Sequence, residues 1–132
     1  MHVAVGVILD ASNAVLISRR AAQAHQGDLW EFPGGKVEPG EHVLAALSRE
    51  LQEELAIAVT ATEPLLEIAH DYGDKAVLLD VHLVTRFENT PQAMENQPLR
   101  WVPAQDLARY AFPAANVPII EALLAHLAAP KH

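Results

Sequence analysis

The sequence predicts an α/β fold in which helices cover both faces of a central mixed β-sheet. Apolar residues alternate with polar ones along several short segments, as in strands, and recur every three or four residues along two others, as in amphipathic helices. The segments follow the order strands, helix, strands, helix, which is typical of a sheet packed between helices. The chain has 132 residues, of which 51% are hydrophobic and 20% are charged. We therefore expect one globular domain over residues 1–132.

The N-terminal part is predicted to form three short strands. Residues 2–9 read as a buried strand, residues 10–13 as a turn and residues 14–18 as a second strand, so the chain is expected to open with a hairpin. Residues 29–32 alternate like a short strand. The Pro-Gly-Gly sequence at residues 33–35 is expected to end that strand in a loop.

The central helix is predicted from its leucines. After a break at residues 38–41, leucines recur at spacings of three, four and four, which marks one apolar face. The four positions are Leu44, Leu47, Leu51 and Leu55. Trp30 and Trp101 are also assigned to the core.

Strands and a helix are predicted again in the C-terminal part. Residues 63–72 have a mixed strand pattern and residues 89–98 are polar and irregular, whereas residues 99–102 could form a brief strand and residues 104–110 a short helix. Residues 77–87 alternate cleanly and place on one face Val77, Leu79, Val81, Leu83 and Phe87. A final helix has an apolar stripe of Ile119, Ile120, Leu123, Leu124 and Leu127.

The charge balance restricts the possible partners. Seventeen acidic and nine basic residues give a formal net charge of −8, which repels a nucleic-acid backbone, so we expect no direct binding of duplex nucleic acid. A small phosphorylated ligand stays open if divalent cations lie between its phosphates and the carboxylates. The absence of cysteine fits a reducing compartment, and no segment approaches the ~18 apolar residues of a membrane helix. A cytoplasmic protein without membrane contact is expected.

Three glutamates share one side of the central helix. Glu50 and Glu54 are four residues apart and stack one turn above the other, where like charges destabilise a helix. Arg49 is placed to pair with Glu53, and no cation of the helix is expected close to Glu50 and Glu54. The three carboxylates form either a solvated acidic face or a site for a hard cation such as Mg²⁺.

The spacing around this helix resembles the Nudix box of nucleoside diphosphate-linked hydrolases. Gly35 is followed after five residues by Glu41 and after seven more by residues 49–57, which read Arg-Glu-Leu-Gln-Glu-Glu-Leu-Ala-Ile. The resemblance implies a Nudix-like α/β/α sandwich in which this helix and the preceding glycine loop bind a metal-diphosphate unit. It implies Mg²⁺, with Mn²⁺ as an alternative, and the metal ligands Gly34 (carbonyl), Glu50, Glu53 and Glu54.

Two neighbouring positions carry further expectations from this resemblance. Arg49 is expected to orient Glu53. Ala56 stands where the family normally has Gly, just past the helix end, where a left-handed backbone is common. Alanine there is expected to strain the cap by about 1 kcal/mol or to force another exit from the helix.

The flanking segments resemble the MutT-type 8-oxo-dGTP diphosphatase branch of that family. They comprise residues 19–22, His25, residues 31–36 and residues 112–118. The resemblance implies a substrate site made by Arg20, the backbone of Phe32, Lys36, Tyr72 and Asn116. Taken alone, the same residues fit ordinary roles, the two cations at the surface and the two aromatic rings in the core.

Asn116 has two interpretations. It fits a helix N-cap, because Pro118 follows within the first turn of the final helix. By resemblance, it reads the purine edge. The 8-oxo base presents an acceptor at O6 and a hydrogen on N7, which complement the donor and acceptor of a carboxamide, whereas guanine presents two acceptors there.

Hydrolysis of a phosphoanhydride by water needs a group that takes a proton. By resemblance, the loop containing Glu95 supplies an additional glutamate that acts as metal ligand or general base. An isolated loop glutamate is otherwise simply solvated. Glu50, Glu53 and Glu95 are all candidates for the base.

Three functional hypotheses follow. The first is a Mg²⁺-dependent nucleoside triphosphate pyrophosphohydrolase that converts 8-oxo-dGTP to 8-oxo-dGMP and pyrophosphate, in nucleotide pool sanitation. The second keeps the box and changes the substrate to another nucleoside diphosphate derivative such as ADP-ribose. The third is a nucleotide-binding module without turnover. In each case the partner is a small nucleotide, and a monomer or weak homodimer is expected.

Overall fold

The computed structural model describes residues 1–20, 28–71 and 73–129. Its helices and strands in chain order are β1 (His2–Ile8), β2 (Ala14–Arg19), β3 (Trp30–Glu31), β4 (Gly34–Lys36), α1 (Val43–Leu55), β5 (Ala58–Asp71), β6 (Ala76–Glu88), β7 (Leu99–Pro103) and α2 (Val117–Ala128). Two short 3₁₀ helices, Ala104–Arg109 and Ala114–Asn116, precede α2. None of the helices in these ranges has the length and apolar character needed to cross a membrane.

The strands form two sheets. The larger sheet has the order β4-β1-β6-β5 and is mixed, since β1 is parallel to β6 and the other pairs are antiparallel. The smaller sheet has the order β3-β2-β7 and is antiparallel. The predicted mixed sheet is confirmed, and the second sheet is an addition to it.

The expected opening hairpin is wrong. Asp10 does make a turn, because its Oδ1 accepts hydrogen bonds from the backbone N–H groups of Ser12 and Ala14, each at 2.9 Å. The strands then diverge into different sheets, and an isolated bridge between Leu9 and Val15 joins them. The parallel partner of β1 comes from β6, about 75 positions later in the chain, which local pattern does not reveal.

The loop expected at residues 33–35 is instead partly a strand. Gly34, Gly35 and Lys36 form β4 and pair with β1. Gly34 fits against β1 because it has no side chain, since a Cβ there would overlap the carbonyl oxygen of Ala4. This pairing places the glycine segment beside α1.

Helix α1 covers one face of the larger sheet. The buried residues of α1 pack against Ala4, Ile8 and Val84 of the sheet. These buried residues are Ala46, Leu47, Leu51 and Leu55. Leu44 was expected on this face but is 36% exposed, because it lies in the first turn and does not join the cluster. The other three leucines confirm the predicted stripe.

Helix α2 covers the opposite face. Alternate residues of β1, Val5 and Val7, point away from α1 and pack in a second cluster together with α2. The buried residues of α2 are Ile119, Ile120 and Leu123. The predicted arrangement of helices on both faces is therefore confirmed.

Phe87 does not share a face with Val77, Leu79, Val81 and Leu83. Those four pack in the cluster of α2, whereas Phe87 packs against the cluster of α1. The cause is an extra residue at Thr85, since Val84 pairs with Thr62 and Arg86 with Ala61, and one extra residue reverses the alternation.

The tryptophans differ from the expected core positions. Phe87 stacks on Trp101 at a centroid distance of 6.4 Å, and Trp101 is 38% exposed, so its assignment to the core is wrong. Trp30 is half-buried and packs against the hydrophobic cluster that contains α2.

Candidate active site

Arg49 organises the start of the acidic helix. Its Nη1 donates to Glu50 Oε1 at 2.8 Å, and its Nε and Nη2 donate to the two carboxylate oxygens of Glu41, each at 3.0 Å. A further bond from Nη2 reaches the carbonyl of Lys36 at 3.1 Å. Hydrogen bonds from Arg49 lower the pKa of the Glu41 carboxyl to about 2. The glycine segment and the helix are thus joined through one guanidinium.

These contacts correct the expectation for Glu50 and confirm the expected pairing of Arg49 with Glu53, although that pair is the looser one. A cation does lie close to Glu50, because the adjacent Arg49 side chain folds back onto it. Arg49 and Glu53 are an i,i+4 pair, but their closest charged atoms are 3.8 Å apart and the side chain of Glu53 is 59% exposed. The residues that Arg49 orients most directly are therefore Glu41 and Glu50. Glu41 was part of the recognised spacing but had received no role.

Glu54 is the most perturbed carboxyl of the site. Its Oε2 accepts a hydrogen bond from the N–H of Gly34 at 3.2 Å. Burial, followed by the nearby charges of Glu50, Glu95 and Glu31, raises the pKa of Glu54 to about 8. Four carboxylates therefore interact around the glycine segment, and Glu53 is not among those that shift Glu54.

The polar segment at residues 89–98 is tied to the end of α1. The N–H groups of Gln92 and Met94 donate to the carbonyls of Leu55 and Glu54 at 2.9 and 3.1 Å. The side chain of Gln97 adds a bond to the Glu54 carbonyl at 3.1 Å and accepts one from the N–H of Glu95 at 2.9 Å. The last carbonyls of a helix need such partners. This docking brings the exposed Glu95 within electrostatic reach of Glu54.

Ala56 ends α1 in the left-handed conformation, with φ 59° and ψ 31°. Its N–H still donates to the carbonyl of Gln52 at 3.0 Å. Of the two expected outcomes, the helix therefore keeps the left-handed exit that a glycine would give it. The cost of about 1 kcal/mol for alanine in this conformation stays a prediction.

The acidic cluster has the donor chemistry of a divalent metal site. Carboxylate oxygens are ligands for hard cations, and Glu54 remains poorly neutralised among other carboxylates. The Glu50 carboxylate lies against Gly35, because a Cβ there would overlap it and the Glu50 side chain would have to shift. Across residues 1–20, 28–71 and 73–129, no three acidic or histidine side chains already converge as a complete ligand set. The residues fit such a metal in the type of their donor atoms.

A cavity of about 490 Å³ opens beside this cluster. Its polar lining includes Arg20, Glu31 and Asn116 together with Gly34 and Gly35. Its apolar wall includes Val3, Val5, Phe32, Val77, Leu79 and Ile119. The cavity therefore combines an apolar wall with the glycine segment, in which the N–H of Gly34 binds the Glu54 carboxylate.

Asn116 and Phe32 both contribute to this cavity. Asn116 occupies the N-cap position of α2, but its side chain makes no capping hydrogen bond. The ring of Phe32 is buried and stacks on Phe112 at 5.0 Å, so it has both a core role and a position in the cavity lining.

Lys36, another expected substrate residue, is not in the lining. Lys36 is exposed in β4, and its backbone carbonyl binds Arg49. Tyr72 lies outside the residues that the structure describes, as does His25.

Glu31 is a site residue that sequence reasoning missed. Its Oε1 accepts a hydrogen bond from Arg20 Nη1 at 2.8 Å. Burial raises the pKa of Glu31, against the opposing effect of Arg20, and Glu95 raises it further. The only signal in the sequence was its place directly before Phe32 and the two glycines.

Comparisons with known proteins identify the family of this chain. A family model for the NUDIX domain matches residues 4–122. An 8-oxo-dGTP diphosphatase of Escherichia coli K12 is 39% identical over 93% of this chain and 95% of that protein. A CTP pyrophosphohydrolase of the same organism is 38% identical over 95% of this chain and 93% of that protein.

Solved structures show the same similarity. The solution structure of the E. coli ORF135 protein has a TM-score of 0.88 and 36% identity, covering 98% of this chain and 92% of that one. A MutT structure from work on Aliivibrio salmonicida and Vibrio cholerae has a TM-score of 0.81 and 37% identity, covering 94% and 95%.

Proposed function

Because the chain belongs to the Nudix family, we propose that it is a nucleoside triphosphate pyrophosphohydrolase that prefers 8-oxo-dGTP. The products would be 8-oxo-dGMP and pyrophosphate, and the role would be sanitation of the cytoplasmic nucleotide pool. One observation carries the proposal: an amide without a capping partner lines the same cavity as Gly34 and Gly35, and these two glycines lie beside the carboxylates of Glu54 and Glu50.

Nudix hydrolases generally use divalent metal ions. We propose Mg²⁺ for this chain, with Mn²⁺ as an alternative, held by Gly34 (carbonyl), Glu50, Glu53, Glu54 and Glu95. A bound divalent ion would supply charge neutralisation for the polyphosphate. Arg49 holds Glu50, and the N–H of Gly34 holds Glu54, so two of the proposed ligands have fixed orientations.

The chain offers three carboxylates as general base. Glu50 is held by Arg49, whereas Glu53 and Glu95 are exposed. A base must lie within hydrogen-bond reach of the attacking water, directly or through a second water. Arg49 and Glu50 belong to the proposed catalytic group together with Glu53 and Glu95.

Asn116 supports the preference for an oxidised purine. A carboxamide offers one donor and one acceptor, which match the acceptor and donor of the 8-oxo base. Ordinary guanine would place acceptor against acceptor inside a partly apolar cavity, at about 1 to 3 kcal/mol. Arg20, Phe32, Lys36 and Tyr72 complete the proposed substrate site.

A cytidine nucleotide is the second candidate substrate. The observation that favours it is the CTP pyrophosphohydrolase relative, which matches 95% of this chain. The exocyclic amine of cytosine is a hydrogen-bond donor. The amide oxygen of Asn116 could accept from it.

A substrate panel tests the proposal. Purified protein with Mg²⁺ would be assayed on 8-oxo-dGTP, dGTP, CTP and ADP-ribose, with separate measurement of pyrophosphate and phosphate release. We expect pyrophosphate release, a higher kcat/KM for 8-oxo-dGTP than for dGTP, and loss of activity with a chelator. Equal kcat/KM values for the two guanine nucleotides would exclude the proposed preference. Nucleotide binding without any turnover would indicate a sensor.

A further inference from the structure

Glu31 lies where the cavity meets the acidic cluster. It lines the cavity together with Asn116, and its charge interacts with that of Glu54. Three residues later the chain reaches Gly34, whose N–H binds the Glu54 carboxylate at 3.2 Å. The side chain of Glu31 is therefore placed between the apolar pocket and the proposed polyphosphate site.

In the proposed binding mode, the sugar of the nucleotide would lie at this position. If the base occupies the pocket and the polyphosphate lies at α1, the sugar that joins them must pass the junction. We propose that Glu31 accepts a hydrogen bond from the 3′-hydroxyl of the nucleotide sugar and thereby selects for nucleotides that carry it. This inference rests on the proposed binding of a nucleotide with its base in the cavity.

The chemistry of the carboxylate favours a hydroxyl. One oxygen of Glu31, Oε1, accepts from Arg20 at 2.8 Å, and within the part of the chain that the structure describes no donor reaches Oε2. The side chain is 34% exposed, so a ligand can reach it. Phosphate oxygens carry no proton to donate and would repel the carboxylate, whereas a sugar hydroxyl is a donor.

Arg20 has a supporting role in this arrangement. Its bond to Oε1 orients the carboxylate and offsets part of its charge, which reduces repulsion of the nearby polyphosphate. A hydrogen bond to a charged acceptor is stronger than one between neutral groups. Loss of the 3′-hydroxyl should therefore have a measurable effect on transition-state binding.

A cycle of two enzymes and two substrates tests this contact. Wild type and Glu31→Gln would each be assayed on 8-oxo-dGTP and on 2′,3′-dideoxy-8-oxo-GTP. In wild type we expect removal of the hydroxyl to lower kcat/KM by about 10-fold or more, as for loss of a charged hydrogen bond. In Glu31→Gln the same removal should lower it by only about 2- to 3-fold, because an amide oxygen is the weaker acceptor. Equal losses in the two proteins would overturn the proposal.

Two further arms identify the group that Glu31 contacts. Arg20→Gln should keep the dependence on the hydroxyl, since the contact is made by Glu31 itself. An 8-oxo-dITP arm removes the purine 2-amino group, which is the competing donor. If Glu31→Gln abolishes the response to that amino group and leaves the response to the hydroxyl, the carboxylate reads the base and the proposal is wrong.

Controls separate this result from the proposed function and from misfolding. The same cycle is also measured with dCTP and ddCTP, so that the contact to the sugar is tested whichever base the enzyme prefers. The comparison of 8-oxo-dGTP with dGTP separately tests the base preference. Binding of 8-oxo-dGMP and its 3′-deoxy analogue, measured by calorimetry, gives the same answer without turnover. Glu67→Gln, at an exposed carboxylate outside the cavity lining, should behave as wild type. A thermal melt of each variant confirms that it is folded.

Discussion

Arg49 and Glu41 form a two-point ion pair, in which the Nε and Nη2 atoms of the guanidinium donate to the two carboxylate oxygens at 3.0 Å each. The remaining Nη1 donates to Glu50 at 2.8 Å. The same side chain thus fixes the loop before α1 and a proposed metal ligand on α1. A substitution that changes the position of the guanidinium should therefore displace the Glu50 carboxylate as well as Glu41.

We expect Arg49→Lys to lower kcat/KM by about 10- to 100-fold while the protein stays folded. Lysine keeps the charge but cannot supply the planar fork that holds Glu41 and Glu50 at once, and small displacements of catalytic groups have large effects. Steady-state kinetics and a thermal melt measure the two properties. Arg86→Lys is the matched control, at an exposed arginine of β6. Wild-type kinetics for Arg49→Lys would show that the fork is dispensable.

Glu54 should make the stability of the metal-free protein depend on pH. Its pKa is raised from 4.5 to about 8, first by burial and then by Glu50, Glu95 and Glu31. Between these values the folded state holds a proton that the unfolded state has lost, so the free energy of unfolding falls as the pH rises through this range. Urea denaturation with a chelator at pH 5 to 9 measures the effect.

Two comparisons test whether Glu54 is the group that causes this pH dependence. Glu54→Gln should flatten the curve, because the amide does not titrate. Added Mg²⁺ should raise the stability of wild type most at the alkaline end, where the carboxylate is charged. If the slope of the curve persists in Glu54→Gln, another group is responsible.

Glu54→Gln also separates an enzyme from a sensor. We expect kcat to fall by about 100-fold or more, with nucleotide binding partly kept, because the substitution removes the charge of a proposed metal ligand. Kinetics and calorimetric binding of nucleotide give the two values. Glu88→Gln, at an exposed carboxylate of β6, serves as the control. Unchanged turnover would remove Glu54 from the active site.

Replacing Ala56 by glycine should stabilise the fold by up to about 1 kcal/mol. The residue has φ 59°, a conformation that is unfavourable for alanine and easy for glycine, although glycine also gains freedom in the unfolded chain. Denaturant unfolding provides the measurement. Ala58→Gly in β5 should have the opposite sign, since glycine weakens a strand. A loss of stability in Ala56→Gly would contradict the account of this cap.

Asn116→Ala should alter selectivity and leave stability nearly unchanged. The side chain makes no capping bond, so its loss should not have the ~1 kcal/mol effect of removing an N-cap. The preference for 8-oxo-dGTP over dGTP should fall about 10-fold, in line with loss of a base contact. His42→Ala is the contrasting variant, because the His42 side chain does cap α1 by accepting from Leu44 N–H at 3.1 Å. A large drop in Tm for Asn116→Ala would favour the structural role.

Local pattern predicted the helices well and the sheet pairings less well. The periodic leucines located α1, and the glutamates on its other side, with their spacing from Gly35, led to the candidate site. The pairing of β1 with β6 and the reversal at Thr85 depend on distant parts of the chain, so alternation within one segment could not reveal them. The contacts of Arg49 and Glu31 were missed for the same reason, because their partners Glu41 and Arg20 lie on other elements.

The segment that carries Glu95 completes the last turn of α1, because its backbone N–H groups donate hydrogen bonds to the carbonyls of Glu54 and Leu55. This loop is therefore not an independent unit that can be transferred by itself from one homologous protein to another. A chimera that exchanges residues 89–98 alone would leave the recipient helix with a poorly matched terminus. Protein engineers who wish to transplant this glutamate should therefore move the loop and the helix end together.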